Sequence, residues 1–318
     1  VAVVPRFKDE SRMTSPPAAQ SALLTPQPLQ WLKGCGFFLF SITMFATLDA
    51  LAKGLVHVYS APLVNFSRYT VIVVLAFSAL LIRGYSFRVA PPERNLLLLR
   101  GVLLGVSGTA FMPSLQYMPL AEATAIYFVS PLIVLIFAPM MLGEKVGLKQ
   151  YLALAAGMIG MLFIVKPGSG EISLIGTTLL LISAVSFALV QIYTRKLSHR
   201  VHSEQIFVYA ASTCWGIGAV TTLIFWPTLW PTPTDWAWIL LMSVVGGLGQ
   251  YALIYAYKYV PASSLAPLNY FQLVLAVIYG ELLFGQMPTL SSLAGIVLVV
   301  VAGLSLTLPM LITYLRSR

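Results

Sequence analysis

Shifting the 318-residue chain by 142 positions lays one half on the other without a gap, and this duplication limits the possible folds more than any single motif does. Tyr117 falls on Tyr259, Pro119 on Pro261, Ile136 on Ile278, Gly143 on Gly285 and Leu148 on Leu290. Ser41, Phe45, Ala46, Leu55 and His57 fall on Ser183, Phe187, Ala188, Leu197 and His199, and Gly105 and Ala110 on Gly247 and Ala252. One ungapped offset across so many apolar segments identifies two copies of one module.

Each copy is a series of apolar stretches of about 20 residues, long enough at ~1.5 Å per residue to cross a ~30 Å hydrocarbon layer. Ten are counted, at 34–53, 62–82, 95–115, 121–142, 148–166, 172–193, 204–226, 236–257, 262–283 and 290–313. Hydrophobic residues make up 58% of the chain and charged residues 9%, too little polar surface to cover a water-soluble domain, so the solvent is lipid. Backbone groups in lipid must pair within their own segment, and the stretches are twice the length of a barrel strand. The expected fold is therefore an all-α integral membrane protein of ten transmembrane helices. Residues 1–33 are expected to be a disordered cytoplasmic tail, 34–166 the first repeat, 172–313 the second and 314–318 a short cytoplasmic tail. The leading segment is rich in Pro, Ser and Gln and has no signal-peptide core. The chain does not begin with Met, and Met13 is a candidate natural start.

Loop charges set an orientation. Of the 19 Lys and Arg residues, 16 (Arg100 counted among them) fall on one side with both termini, Lys53 and Lys166 on the other, and Arg68 within helix 2. By the positive-inside rule the termini are cytoplasmic. Five helices per copy is an odd number, so the second copy runs inverted relative to the first. Such repeats enclose a central cavity near the bilayer midplane and expose it alternately to either side. The net charge of +9 is spread over short loops and does not form a nucleic-acid-binding face. Cys35 and Cys214 lie in apolar segments, and His57, His199 and His202 in loops without a ligand cluster, so no metal, cofactor or disulfide is expected.

The string P-L-A-E-A-T-A-I at 119–126, S-P-L at 130–132, L-G-E-K at 142–145 and I-V-K-P-G at 164–168 stand inside this duplicated pattern. Together they resemble the drug/metabolite transporter superfamily, EamA type, over nearly the whole chain after residue 33. The second copy departs from the first, with Gly285-Gln286 where the first has Gly143-Glu144. The resemblance implies a basket-shaped carrier of small metabolites, often an exporter, in a bacterial-type inner membrane, with helices 5 and 10 peripheral. Fold membership does not fix the substrate.

Ionisable groups inside a bilayer are costly and mark candidate sites. Asp49, Lys53, Arg68 and Glu281 stand out. Asp49 and Lys53 share a helical face, and Asp49 and Arg68 lie at similar depths on helices 1 and 2, which predicts a contact. Arg68 is the stronger substrate handle, because a guanidinium in low dielectric is a permanent, planar anion clamp. The competing reading is a self-neutralising pair that ties the two helices together. Asp49 and Glu281 are the candidates for proton coupling, while Glu122 and Glu281 also fit capping or solvated positions near the outer interface. Under the 142-residue shift Asp49 falls on Gln191, Gly108 on Gln250, Tyr127 on Asn269 and Ser130 on Gln272, which makes a row of polar mid-helix positions. These residues line a cavity or form interhelical hydrogen bonds. Trp215, Tyr251 and Tyr270 join Tyr127 as aromatic candidates for stacking on a substrate. The glycine pairs Gly101/Gly105 and Gly157/Gly160, and the run Gly246-Gly247-x-Gly249, read as close helix contacts, and Pro113, Pro131 and Pro267 as kinks in helices 3, 4 and 9.

A membrane-embedded enzyme is the first rival reading, and the chain has no nucleophile elbow, Walker loop or acid–base constellation to support it. A channel is the second, and internal inverted symmetry suits alternating access better. The expectation is a secondary-active exporter of a small polar or zwitterionic metabolite, such as an amino acid or its derivative. Its partners are that substrate and the bilayer, with no nucleic acid, and a homodimer is an open option.

Overall fold

The computed structural model describes residues 28–117, 120–127, 129–165 and 173–285, with scattered helical positions between 290 and 312. The elements are α1 (Pro28–Val56), α2 (Ala61–Ile82), α3 (Pro91–Ser114), α4 (Leu120–Tyr127), α5 (Val129–Leu142) and α6 (Leu148–Val165). They continue as α7 (Leu174–Leu197), α8 (Ser203–Ile224), α9 (Pro233–Tyr259), α10 (Ala262–Leu265), a 3-10 turn (Ala266–Tyr270) and α11 (Phe271–Phe284). Among the described residues the regular structure is all helical, and seven helices are long and apolar enough to cross a membrane. Large apolar side chains such as Leu81, Ile82, Leu174 and Leu282 face outward, as a lipid-solvated perimeter requires. Trp226, Trp230, Trp236 and Trp238 are exposed around one inter-helix loop, the position of an interfacial aromatic belt.

Helix limits follow from local chemistry. Prolines open α2, α3 and α9, where a missing N–H costs nothing. Thr232 caps α9 by accepting from the Asp235 amide at 3.3 Å, and Ser173 caps α7 by accepting from Gly176 at 3.2 Å. Gly143 and Gly285 end α5 and α11 at φ +67° and +66°, and each amide donates to the carbonyl four residues back, on Pro139 and Glu281. Only glycine takes that backbone without strain. The first helix starts at Pro28, earlier than the 1–33 tail allows, because Trp31 packs into the interior, 5% exposed. The expected fourth span is described as α4 and α5 on either side of residue 128, which lies outside the described residues, and the ninth is divided among α10, the 3-10 turn and α11. Pro267 opens the 3-10 stretch. Pro113 is the penultimate residue of α3 and leaves that helix continuous.

Packing repeats with the sequence. Helix α1 packs on α9 as α3 packs on α7, α2 lies on α8, and α11 meets α1 as α5 meets α7. Exchanging the two copies converts each of these contacts into its counterpart. The hydrogen bonds agree: Ser41 Oγ donates to the Gly249 carbonyl at 2.7 Å, and Ser183 Oγ donates to the Ser107 carbonyl at 2.8 Å. These two bonds map onto each other under the 142-residue shift. The counterparts Phe45 and Phe187 touch one another, ring centroids 6.4 Å apart, so a pseudo-twofold axis runs between them.

Glycines set how closely these helices approach. A Cβ at Gly249 would lie 2.9 Å from Met44 Cβ, one at Gly246 2.3 Å from Leu48 Cδ1, and one at Gly105 2.4 Å from Ile217 Cδ1. Gly249→Leu should therefore push α1 off α9 and cost about 1–3 kcal/mol of stability, the usual range for overpacking. A thermal melt of the detergent-purified variant should show a lowered midpoint, and an unchanged midpoint would contradict the seam.

Candidate functional site

Residues from eight elements converge on one interior cavity beside the pseudo-twofold axis. Its wall includes Phe45 and Asp49 of α1, Arg68 and Tyr69 of α2, Leu104 and Gly108 of α3, Tyr127 of α4 and Phe187 of α7. Phe207 and Ala210 of α8, Gly246 and Gln250 of α9 and Gln272 of α11 complete it. Both copies contribute.

Arg68 is the cation of this wall. Its guanidinium lies over the ring of Tyr69, Cζ 4.4 Å from the centroid, and Nη2 donates to Asn65 Oδ1 at 2.9 Å. Gly108 and Gly246 leave room for the side chain, since a Cβ at Gly108 would stand 3.3 Å from Nη2 and one at Gly246 3.9 Å from Cδ. Arg68 Nε is buried with no hydrogen-bond partner among the described residues. Gln250 Nε2, on the opposite repeat, is in the same condition. Two idle buried donors in one cavity call for a guest or water, because unpaired polar groups are expensive away from solvent.

Asp49 is the anion. One carboxylate oxygen, Oδ2, accepts from Gln272 Nε2 at 2.9 Å. The counterpart of this bond is Gln191 Nε2 donating to Ser130 Oγ at 3.3 Å. Asp49 and Arg68 lie within each other's field but are not among the ion pairs of the described residues. The contact expected from the sequence is thus a shared cavity with no direct ion pair, because Arg68 turns toward Asn65 and Asp49 toward Gln272. Aromatic rings frame both charges, with Tyr127 5.1 Å from Phe111 and 5.5 Å from Phe187 between centroids.

Of the sequence-derived candidates, the cavity brings together Arg68, Asp49, Tyr127, Gln250 and Gln272. The others lie elsewhere. Gln191 is buried against Ser130 and accepts from the Tyr257 hydroxyl. Trp215 is 41% exposed on the outside of α8, its indole donating to Thr70 at 3.1 Å. Tyr251 donates to Glu204 at 2.8 Å, as Tyr255 does at 3.0 Å. Asn269 donates to the Ala266 carbonyl within the 3-10 turn, and the Tyr270 ring fills the notch at Gly157. Glu281 is partly exposed near the end of α11, and the Glu122 side chain is outside the described residues. Sequence reasoning missed Tyr69, Phe45 and Phe187 as wall residues, although the last two were already visible as an identity between the copies. It also counted Arg100 among the side-setting charges although the 95–115 span contains it: this residue lies inside α3 and is 0% exposed.

At one end of the bundle the copies are clamped by Glu144, in the turn after α5. Its carboxylate accepts from the amides of Ala262 (3.1 Å) and Ser263 (3.0 Å), and from Ser263 Oγ (2.7 Å). It also pairs with Arg195 Nε at 3.3 Å. Arg195 Nη1 donates in turn to the Tyr257 carbonyl at 2.6 Å. A carboxylate of the first copy thereby caps a helix start of the second.

Comparison with known proteins agrees with this architecture. Residues 32–166 and 174–308 each match the EamA-like transporter family. The chain is 29% identical over 269 residues to the pseudopaline exporter of Pseudomonas aeruginosa, a match that covers 83% of this chain and 92% of that one. It is 27% identical over 277 residues to the S-adenosylmethionine uptake transporter of Rickettsia bellii, covering 85% and 92%. A solved crystal structure superposes with a TM-score of 0.72 at 19% identity, covering 89% of this chain and 97% of that one.

Removing the clamp tests its contribution. Glu144→Ala strips the acceptor from Arg195 and from the start of α10, and hydrogen bonds to charged groups are worth about 1.5–3 kcal/mol. A thermal melt in detergent should fall by several degrees, with Glu144→Gln between the variant and the parent. Equal midpoints for all three would show that the clamp adds nothing.

Proposed function

Because the chain belongs to the EamA-like transporter family, and so to the drug/metabolite transporter superfamily, we propose that it is a secondary-active carrier of an amino-acid-like zwitterion. Transport, as opposed to enzymatic conversion, is the activity of the relatives. The observation that carries the substrate class is the sharing of one cavity by Arg68 and Asp49 without an ion pair. A carboxylate on Arg68 and an ammonium near Asp49 and Gln272 would satisfy both charges at once. Gln250 supplies a further donor, and the rings of Tyr127, Phe111 and Phe187 supply an apolar or cation-attracting wall. S-adenosylmethionine, the cargo named for one relative, combines a carboxylate, an ammonium and a planar ring.

The working architecture is ten helices in two inverted five-helix repeats, with both termini cytoplasmic in a bacterial-type inner membrane. The duplicated hydrogen bonds and the self-contact of Phe45 with Phe187 support the twofold, and an odd span count supports inversion. Rocking of the two copies about the cavity then opens it to each side in turn. In this orientation the Glu144–Arg195 clamp closes the cytoplasmic side and must release during each cycle. Export is the preferred direction, in line with the pseudopaline exporter. Asp49 is the preferred proton-coupling group, because it is the cavity's acid, with Glu281 a second candidate. The chain acts as a monomer or a homodimer.

Metabolite profiling of cells overexpressing or lacking the protein, inside and outside, should show one amino-acid-like compound redistributed. Arg68→Ala should abolish that redistribution, at least tenfold, while the protein still reaches the membrane. Normal flux through a well-expressed Arg68→Ala protein would remove Arg68 from the site. Asp49→Asn should flatten the pH dependence of flux, and a parental pH profile in this variant and in Glu281→Gln would refute proton coupling through either acid.

A further inference from the structure

Arg100 is the most deeply buried cation among the described residues, at 0% exposure. It projects from α3 one turn from Leu104 of the cavity wall, and its Nε donates to Thr194 Oγ1 at 2.6 Å. Nη1 and Nη2 have no hydrogen-bond partner among the described residues. Its surroundings come from four helices: Tyr69 on α2, Thr194 on α7, Cys214 on α8 and Tyr257 on α9. Tyr69 and Cys214 lie in the fields of both Arg68 and Arg100. Thr194 is the chain neighbour of Arg195, and Tyr257 is the residue whose carbonyl Arg195 holds. Arg100 therefore sits between the cavity and the Glu144–Arg195 clamp.

The fold does not need a cation at this position. The 142-residue shift places Arg100 on Met242 of α9, which is also 0% exposed. A methionine of similar length fills the same place in the other copy with no charge to bury. A guanidinium with two idle nitrogens is the costlier choice, and that cost is offset when an anion occupies it. From this geometry we infer that Arg100 is a second anion-holding station, which takes the substrate carboxylate between the clamp and Arg68, with Tyr69 as the surface passed between them. This station rests on the carrier reading above. Opening the clamp frees the ends of α7 and α9, two of the four helices around Arg100, so the station becomes reachable when that side opens.

The test uses the full chain in membrane vesicles of both orientations, with Cys35→Ser and Cys214→Ser as the background. Thr194→Cys places a thiol beside Arg100 while leaving the guanidinium intact, and Leu104→Cys marks the cavity wall. Two impermeant methanethiosulfonates are compared, the anionic sulfonatoethyl and the cationic trimethylammonioethyl reagents, each normalised to its rate with free thiol. At Thr194→Cys the anionic reagent should react at least tenfold faster than the cationic one, from the clamp side. Adding Arg100→Gln should remove the preference, and Arg100→Lys should keep it. An unreactive Thr194→Cys beside a reactive Leu104→Cys, or labelling without charge preference, would overturn the station and leave the carrier intact. Failure of both cysteines to react from either face would overturn the aqueous pathway itself.

Discussion

The structure depends on two seams between the copies, α1 against α9, lined by glycines and Ser41, and α3 against α7, joined by Ser107 and Ser183. Lipid offers helices little hydrophobic reason to associate, so they hold through close backbone approach and interhelical hydrogen bonds. Here small residues bring the helices together, and the Ser41 and Ser183 hydroxyls reach main-chain carbonyls across the gap. Because each seam joins one copy to the other, tightening them brings the middles of the helices around a common axis. The cavity occupies the place where larger wall residues do not close that axis.

The two copies share geometry but divide the charge. Arg68 corresponds to Ala210, Arg100 to Met242, and Asp49 to the neutral Gln191, so the first copy carries both ions of the cavity wall and the buried Arg100 beside it. The second copy answers with amides, Gln250 in the cavity and Gln272 on Asp49. Two copies of one module thus enclose an asymmetric field. The turns after the fourth and ninth spans differ in sequence too. Glu144 makes an ionic clamp with Arg195 and the start of α10, whereas the equivalent position in the sequence is Gln286, outside the described residues.

Much of this was legible in the chain. Apolar length gave an all-helical membrane protein, because hydrocarbon thickness sets helix length, and Pro267 marked the span that changes to a 3-10 turn. The duplication paired Asp49 with Gln191 and Ser130 with Gln272, and those four residues do form two equivalent contacts. The sequence could not tell which pair faces the cavity. Gln191 is taken up by Ser130 and Tyr257, while Asp49 opens onto the chamber beside Arg68. Trp215 shows a second limit: its depth in the helix suited a site, but its azimuth points it out of the bundle, and a helix that is apolar all round gives no signal of which face is inward. Arg100 shows a third, since its place near the start of the 95–115 span counted it with the side-setting charges while the packing of four helices encloses it.

The sequence by itself determined a lipid solvent, helical spans, a duplicated module and a small set of ions too costly to be idle. These follow from transfer energies and chain length, which act residue by residue. Only the tertiary structure decided which ions share a chamber, that Asp49 and Arg68 face it unpaired, and that Glu144 reaches across to the second copy. Those outcomes depend on helix rotation and on contacts between residues more than a hundred positions apart, and no local pattern in the chain encodes them.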